Sequence, residues 1–202
     1  MSKGELTRTR ILDQALCLAS RLGLDGLTLG VLAESLQLSK SGLYAHFRSK
    51  EALILAVLDH TKQRYAAHAA PYMQGRAKGL DRLRAYVAAW LDWIALPSLP
   101  AGCPILGASF EVEDLDGPTR EYIVKATHVS RDRLAHVIRE AIAMGELSQA
   151  LPMDQVLFEM RGIVLSFHVE HRLLRDADAR KHAEAAFESL IARNVAAAQA
   201  NS

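Results

Sequence analysis

A chain of 202 residues, half of them apolar, is long enough to bury a substantial core in one or two domains. Its 24 basic and 23 acidic residues leave a formal net charge of +1, which supports neither a polybasic tail nor an acidic disordered segment and confines any nucleic-acid surface to a local patch. The N-terminal MSKGELTRTR carries charges where a secretory signal needs an apolar run, and no later apolar run approaches the ~18 residues of a membrane span, so a cytoplasmic protein is expected. Cys17 and Cys103 are too few for a disulfide framework and lack the companion spacing of a zinc site; reduced thiols are expected.

Taken in chain order, nearly every segment has helical periodicity. Ile11, Leu12, Ala15, Leu16, Ala19 and Leu22 recur at the i, i+3, i+4, i+7 spacing of one apolar face, and Gly23 supplies a stop. Thr28 caps a second helix that turns Val31, Leu32 and Leu36 inward, and Ser39 caps a third ending near Phe47. Ser49 caps a fourth, from about Lys50 to the late sixties, where Pro71, Gly75 and Gly79 break the pattern. A domain junction is placed there or within the fourth helix. Further helices are expected over Leu80–Leu96, Ile105–Glu113, Pro118–Met144, Met153–Arg175 and from Ala177 to about Ala198. No strand, internal repeat or low-complexity linker is evident, so the fold class is all-α.

The second and third helices are separated only by Gln37 and Leu38, a connection that forces the steep crossing of a helix-turn-helix, and the small Ala33 lets the two approach. Leu43 and Phe47, one turn apart, belong to the core. The opposite face leaves Lys40, Ser41, Gly42, Tyr44 and Ala45 near the N-terminal end, where a recognition helix meets base edges. Tyr44 and His46 can donate to phosphate oxygens, and Lys50 adds a cation at the start of the fourth helix, where free backbone N–H groups also favour an anion. In isolation a tyrosine and a histidine on an amphipathic helix are packing residues. It is the whole cluster at this spacing that gives a DNA-docking surface.

From about Thr9 to Leu58 the chain resembles the TetR family of bacterial transcriptional regulators, most specifically in GLYAHFRSKEAL. The resemblance implies a helix-turn-helix DNA-binding domain over residues 1–55 and a helical ligand-binding and dimerisation domain over 56–202. It also implies that Thr28, Lys40, Ser41, Gly42, Tyr44, His46 and Lys50 occupy DNA-contacting positions on a double-stranded palindromic operator. The function implied is a repressor released from that operator by a small molecule. Two departures stand out. Gln37 occupies a turn position that often holds Gly, where a left-handed conformation costs a side chain about 1 kcal/mol. Leu29 and Gly30 stand where family members often present polar or basic side chains, which implies fewer DNA contacts there. The basic bias of residues 1–60 is slight, seven Lys or Arg against six Asp or Glu. Lys3, Arg8 and Arg10 could reach phosphates or a minor groove, but taken alone they suit an ordinary frayed terminus.

In the C-terminal part, Val156, Met160, Ile163, Phe167 and Leu174 form one apolar stripe and Ala183, Ala186, Phe187, Leu190 and Val195 another. Two such helices per subunit can build an intermolecular four-helix bundle, giving a homodimer through the last two helices; the same stripes also suit the subunit's own core. Dimerisation follows partly from function, since tandem recognition helices need two subunits to read a palindrome. Trp90, Trp93, Phe110, Met160 and Phe167, with Cys103 and His168 as polar members, are the candidate pocket for an apolar or aromatic effector, although any helical core is similarly composed. Cys103 could sense electrophiles through a stabilised thiolate or act as a small packing residue. His128, Asp132 and His136, or His168 and His171, have helical spacings that could approach a metal, but such spacings arise readily on exposed helices, and no metal or cofactor is expected. No phosphate loop or nucleophile elbow is present, so no catalytic residue is assigned. Two other readings remain: a helical ligand-binding protein or enzyme with a vestigial helix-turn-helix, and a DNA-binding activator without a ligand.

Overall fold

The computed structural model describes residues 3–200, with side chains described for residues 7–39 and 42–195. Among these residues the helices are α1 (Lys3–Gly26), α2 (Leu29–Leu36), α3 (Lys40–Tyr44), α4 (Lys50–Met73), α5 (Leu80–Ala95), α6 (Pro104–Glu111), α7 (Pro118–Ala143), α8 (Met153–His168) and α9 (Ala179–Ala200). A π-helical turn, Val169–Leu174, follows α8, and there is no strand among the described residues. The chain divides into two compact units. The first comprises Met1–Ala67 and Leu96–Thr127, the second His68–Ala95 and His128–Ser202, so the boundaries fall within α4, at the end of α5 and within α7.

In the first unit α1 packs on α2 and α6, and α2 packs on α3. Ile11, Leu12, Ala15, Leu16 and Ala19 are buried, as the periodicity requires, together with Leu27, Leu32, Leu43, Phe47, Leu53 and Leu58. Each large apolar side chain among them stabilises the unit by about 1.5–3 kcal/mol relative to exposure. Leu22 departs from the expected face and is exposed. The cause is next to it: Gly23 has φ 72° and ψ 175°, which interrupts the helix before a last turn to Gly26. A Cβ at Gly23 would lie 2.9–3.1 Å from the Glu111 carboxylate, so glycine is required both for the dihedral and for the approach.

The fourth helix runs through Pro71 to Met73, beyond the expected break. Pro71 sits in the last turn, where its missing N–H removes one bond; the Gln74 N–H still donates to the Ala70 carbonyl at 3.1 Å. Gly75, at φ 72°, follows.

In the second unit α8 packs on α5 and α9. Gly79 (φ 96°) precedes α5, and the Glu146 carboxylate accepts the Leu80 N–H at 2.7 Å in a space that a Cβ at residue 79 would occupy. Val156, Met160, Phe167, Ala183, Phe187 and Leu190 are buried inside the chain. These members of the two stripes expected to pair subunits therefore belong to this unit's own core, where α8 meets α5 and α9, while Ile163 and Val195 are half-buried and Ala186 is exposed. The expected single helix Met153–Arg175 is also corrected: α8 ends at His168, the π-helical turn follows, and Arg175 adopts a left-handed conformation at φ 56°. A π turn closes i→i+5 bonds and delays each side chain relative to the 3.6-residue period. Leu174, assigned to the inward stripe, is consequently 61% exposed.

Candidate functional site

The helix-turn-helix is built by local hydrogen bonds. Thr28 is extended (φ −122°) and its Oγ1 accepts the Val31 N–H at 3.1 Å, starting α2. At the other end Gln37 adopts φ 55°, ψ 37°; its N–H donates to Glu34 O at 3.1 Å and the Leu38 N–H to Ala33 O at 2.9 Å. This is the Schellman pattern, here without the usual glycine. Ser39 Oγ accepts the Gly42 N–H at 3.2 Å to start α3, and Ser49 Oγ accepts the Ala52 N–H at 3.0 Å to start α4. The third helix is shorter than expected. The N–H groups of His46 and Phe47 both turn back to Leu43 O at 2.9 Å, which closes the segment before Phe47.

These bonds decide which face is free. Leu43 and Phe47 are buried, while Gly42, Tyr44 and Ala45 are exposed, Tyr44 by 54%. A Cβ at Gly42 would lie 3.3 Å from the Oγ of Ser39, the side chain that caps this helix, so glycine leaves room for that cap. The side chains of Lys40 and Ser41 lie outside the described residues. Thr28 is half-buried with its hydroxyl engaged in the cap, and His46 is half-buried beside Phe47. Arg8 Nη1 donates to the His46 carbonyl at 3.3 Å and its guanidinium stands 4.8 Å above the Phe47 ring. The frayed-terminus reading is thereby corrected at Arg8, since α1 already includes it. Arg10 is exposed, and the Lys3 side chain lies outside the described residues. Lys50 donates from Nζ to the carbonyl of Asp25 at 2.6 Å and to its Oδ1 at 2.8 Å. The hydrogen bond and charge of Lys50 hold the Asp25 carboxyl below its ordinary range.

The effector candidates fall in both units. Trp93, Met160 and Phe167 are buried in the second, and Trp90 and His168 are half-buried there. The Trp93 ring lies 5.6 Å from His68, whose Nε2 donates to Ala89 O at 3.1 Å. Tyr72 packs on His68 at 5.4 Å and donates to Asp92, which is also paired with Arg180. Phe167 stacks on His171 at 5.2 Å with 15° between the rings. His168 Nδ1 is buried without a protein partner, and Arg172 Nε donates to Ile94 O at 3.0 Å. Burial, followed by the charge of Arg172 and the neighbouring His171, pushes the His168 imidazole down from its ordinary value, so it is a neutral donor or acceptor near pH 7. Cys103 and Phe110 belong to the first unit: Cys103 is a half-buried thiol preceding α6, and Phe110, on α6, is 60% exposed. Among the described residues no group of three His, Cys, Asp or Glu is placed to hold a metal ion, and no helix is long and apolar enough to cross a membrane.

Residues 11–57 match the family model described as bacterial regulatory proteins, tetR family, and residues 79–187, more than half of the chain, match the tetracyclin repressor-like C-terminal domain. The chain belongs to the TetR family. It is 25% identical over 190 residues to the HTH-type transcriptional repressor NemR of Escherichia coli K12, covering 92% of this chain and 94% of that protein. It is also 25% identical over 180 residues to the HTH-type transcriptional regulator SrpR of Pseudomonas putida, covering 89% and 81%. A solved TetR transcriptional regulator from Chloroflexus aurantiacus aligns with TM-score 0.82 at 26% identity, over 95% of this chain and 96% of that one. The chain is thus a DNA-binding transcriptional regulator with a TetR-type helical C-terminal domain.

Three features of this TetR-family regulator were not assigned from the residues. Asp25 carries no motif signal, because its link to Lys50 spans 25 positions and exists only once α1 and α4 are packed. Glu111 docks on the backbone of the α1 terminus, again a tertiary event. The π-helical turn has the same amphipathic sequence pattern as an α-helix; only its hydrogen bonds distinguish it.

Proposed function

We propose that the regulator is a cytoplasmic, homodimeric repressor that docks the segment Thr28–Lys50 on a palindromic operator and is released by an apolar or aromatic small molecule. It acts by binding rather than by catalysis. The observation that carries this reading is the recognition segment: Leu43 and Phe47 are buried while Gly42 and Tyr44 are exposed. In this reading Lys40, Ser41 and Gly42 meet base edges, whereas Tyr44, His46 and Lys50 meet phosphates, with Thr28 holding the start of α2 against the duplex. The division of labour follows the sequence, with residues 1–55 engaging DNA and 56–202 sensing and pairing.

Pairing of two copies is proposed through α8 and α9, on the faces that the single chain leaves uncovered. These are Phe158, Gly162, Val169 and Leu173 on α8 and its π-helical extension, and Ala185, Ser189 and Ala192 on α9. The occupant is a second copy because a palindrome needs two recognition helices about 34–36 Å apart. The effector site is proposed in the second unit, among Trp90, Trp93, Met160, Phe167 and His168, which together supply large apolar side chains and a buried imidazole whose Nδ1 has no protein partner. An effector that binds both arrangements of the dimer equally would shift nothing, so it must favour the arrangement that does not fit DNA.

The test is a titration of labelled palindromes from the chain's own upstream region at several salt concentrations, followed by a compound screen read by tryptophan quenching. Salt-dependent operator binding that weakens with quenching compounds supports the reading. Quenching without any change in operator affinity would retain the effector site and remove induction; absence of palindrome binding would favour a ligand-binding protein with a vestigial helix-turn-helix.

A further inference from the structure

We propose that Asp25 is an intramolecular competitor for Lys50, holding the ammonium that DNA phosphate would take, and that Glu111 of α6 fixes the turn from which it does so. This rests on the reading that Lys50 meets phosphate. Asp25 engages Lys50 twice, through its backbone carbonyl at 2.6 Å and its Oδ1 at 2.8 Å. The Asp25 side chain is fully exposed and that of Lys50 41% exposed, so a phosphate oxygen can reach and displace the pair.

The turn that presents Asp25 is itself held from α6. Glu111 Oε2 accepts the N–H of Leu24 at 2.8 Å and lies 3.4 Å from the Asp25 nitrogen, in the space that glycine at residue 23 leaves open. A second tie fixes α1 to the segment leading into α6: Ser20 Oγ donates to Gly102 O at 2.9 Å and accepts the Ala101 N–H at 3.0 Å. The path Glu111, Leu24–Asp25 backbone, Asp25 carboxylate, Lys50 is continuous and lies wholly in the first unit.

Because both charges face solvent, their attraction is modest, and the competition tunes DNA affinity rather than blocking it. Exposed pairs of this kind correspond to about 1.5- to 5-fold in an equilibrium constant. The use of such a device follows from population arithmetic: the weaker the ligand-free complex, the smaller the differential affinity an effector needs to dissolve it.

The experiment is operator titration by the full chain carrying Asp25→Asn or Glu111→Gln, each alone and combined with Lys50→Ala. Asparagine keeps the size and the backbone carbonyl while removing the competing charge; glutamine keeps an acceptor for the turn. Asp25→Asn is expected to tighten binding about two- to fivefold, within the range of an exposed pair, and Glu111→Gln to tighten it less. Both gains should vanish when Lys50 is alanine. Equal gains with and without Lys50 would mean general repulsion of DNA by an acidic residue and would overturn the competition, as would no gain from Asp25→Asn. NMR titration of the Asp25 carboxyl supplies a DNA-free readout. Lys50→Ala should raise its pKa toward the ordinary aspartate value, and an unmoved pKa would show that the pair does not form in solution. A wild-type chain that binds no palindrome refutes the operator reading itself, a result distinct from equal gains in the two backgrounds.

Discussion

The segment from Thr28 to Lys50 and the pair α8–α9 are both helical, but different forces hold them. In the first, three hydroxyl caps and the Gln37 turn satisfy backbone groups within a few residues, while Leu29, Leu32, Leu43 and Phe47 anchor it in the core. In the second, long apolar stripes are buried against neighbouring helices, and no side chain caps the start of α8. The contrast teaches that a short recognition element can present a fixed outer face because its ends are pinned by polar geometry. A long helix has its inner and outer faces chosen by whatever packs against it.

Breaking the packed region should produce the largest effect. Phe167→Ala removes a ring buried between α8 and its neighbours and is expected to lower stability by about 3–5 kcal/mol, read from urea unfolding. The same loss in a variant of an exposed residue would contradict the assignment of inner and outer faces. Phe158→Glu with Leu173→Glu changes side chains that are 71% and 75% exposed in the single chain. Ultracentrifugation should then show a folded monomer, because the charges cost the dimer several kcal/mol without entering the subunit core. A persisting dimer would place the pairing surface elsewhere. Local polar ties should matter less: Thr28→Ala, which leaves the Val31 N–H without its cap, is expected to cost about 1 kcal/mol by chemical denaturation. The smallest change has the opposite sign. Gln37→Gly relieves a left-handed side chain at φ 55° but adds unfolded-state freedom, for a net gain of about 0.5 kcal/mol in the same assay.

The same contrast explains what the residues disclosed. Thr28, Ser39 and Ser49 were legible as caps because each acts on an N–H three positions away, and Leu43 and Phe47 were legible as core because one helical turn separates them. The left-handed turn at Gln37 was signalled by the family resemblance, which often has glycine at this position. Lys50 was legible as a cation at a helix start, but its partner Asp25 was not, since that contact depends on how α1 and α4 meet. In α8 and α9 the stripes were legible and their destination was not: Met160 and Phe187 obey the same period whether they face their own chain or a partner. The π-helical turn then displaced Leu174 from a face that 3.6-residue counting assigned to it.

The most direct measurement is a fluorescence titration of operator and random duplexes with wild type, Tyr44→Phe and Lys50→Ala over a range of salt concentrations. Phosphate contacts carry little sequence information, so both variants should bind operator and random DNA more weakly in similar proportion. Lys50→Ala should also lower the slope of log affinity against log salt by about 1. Unchanged affinity and slope for Lys50→Ala on both duplexes would contradict the docking of this segment on DNA.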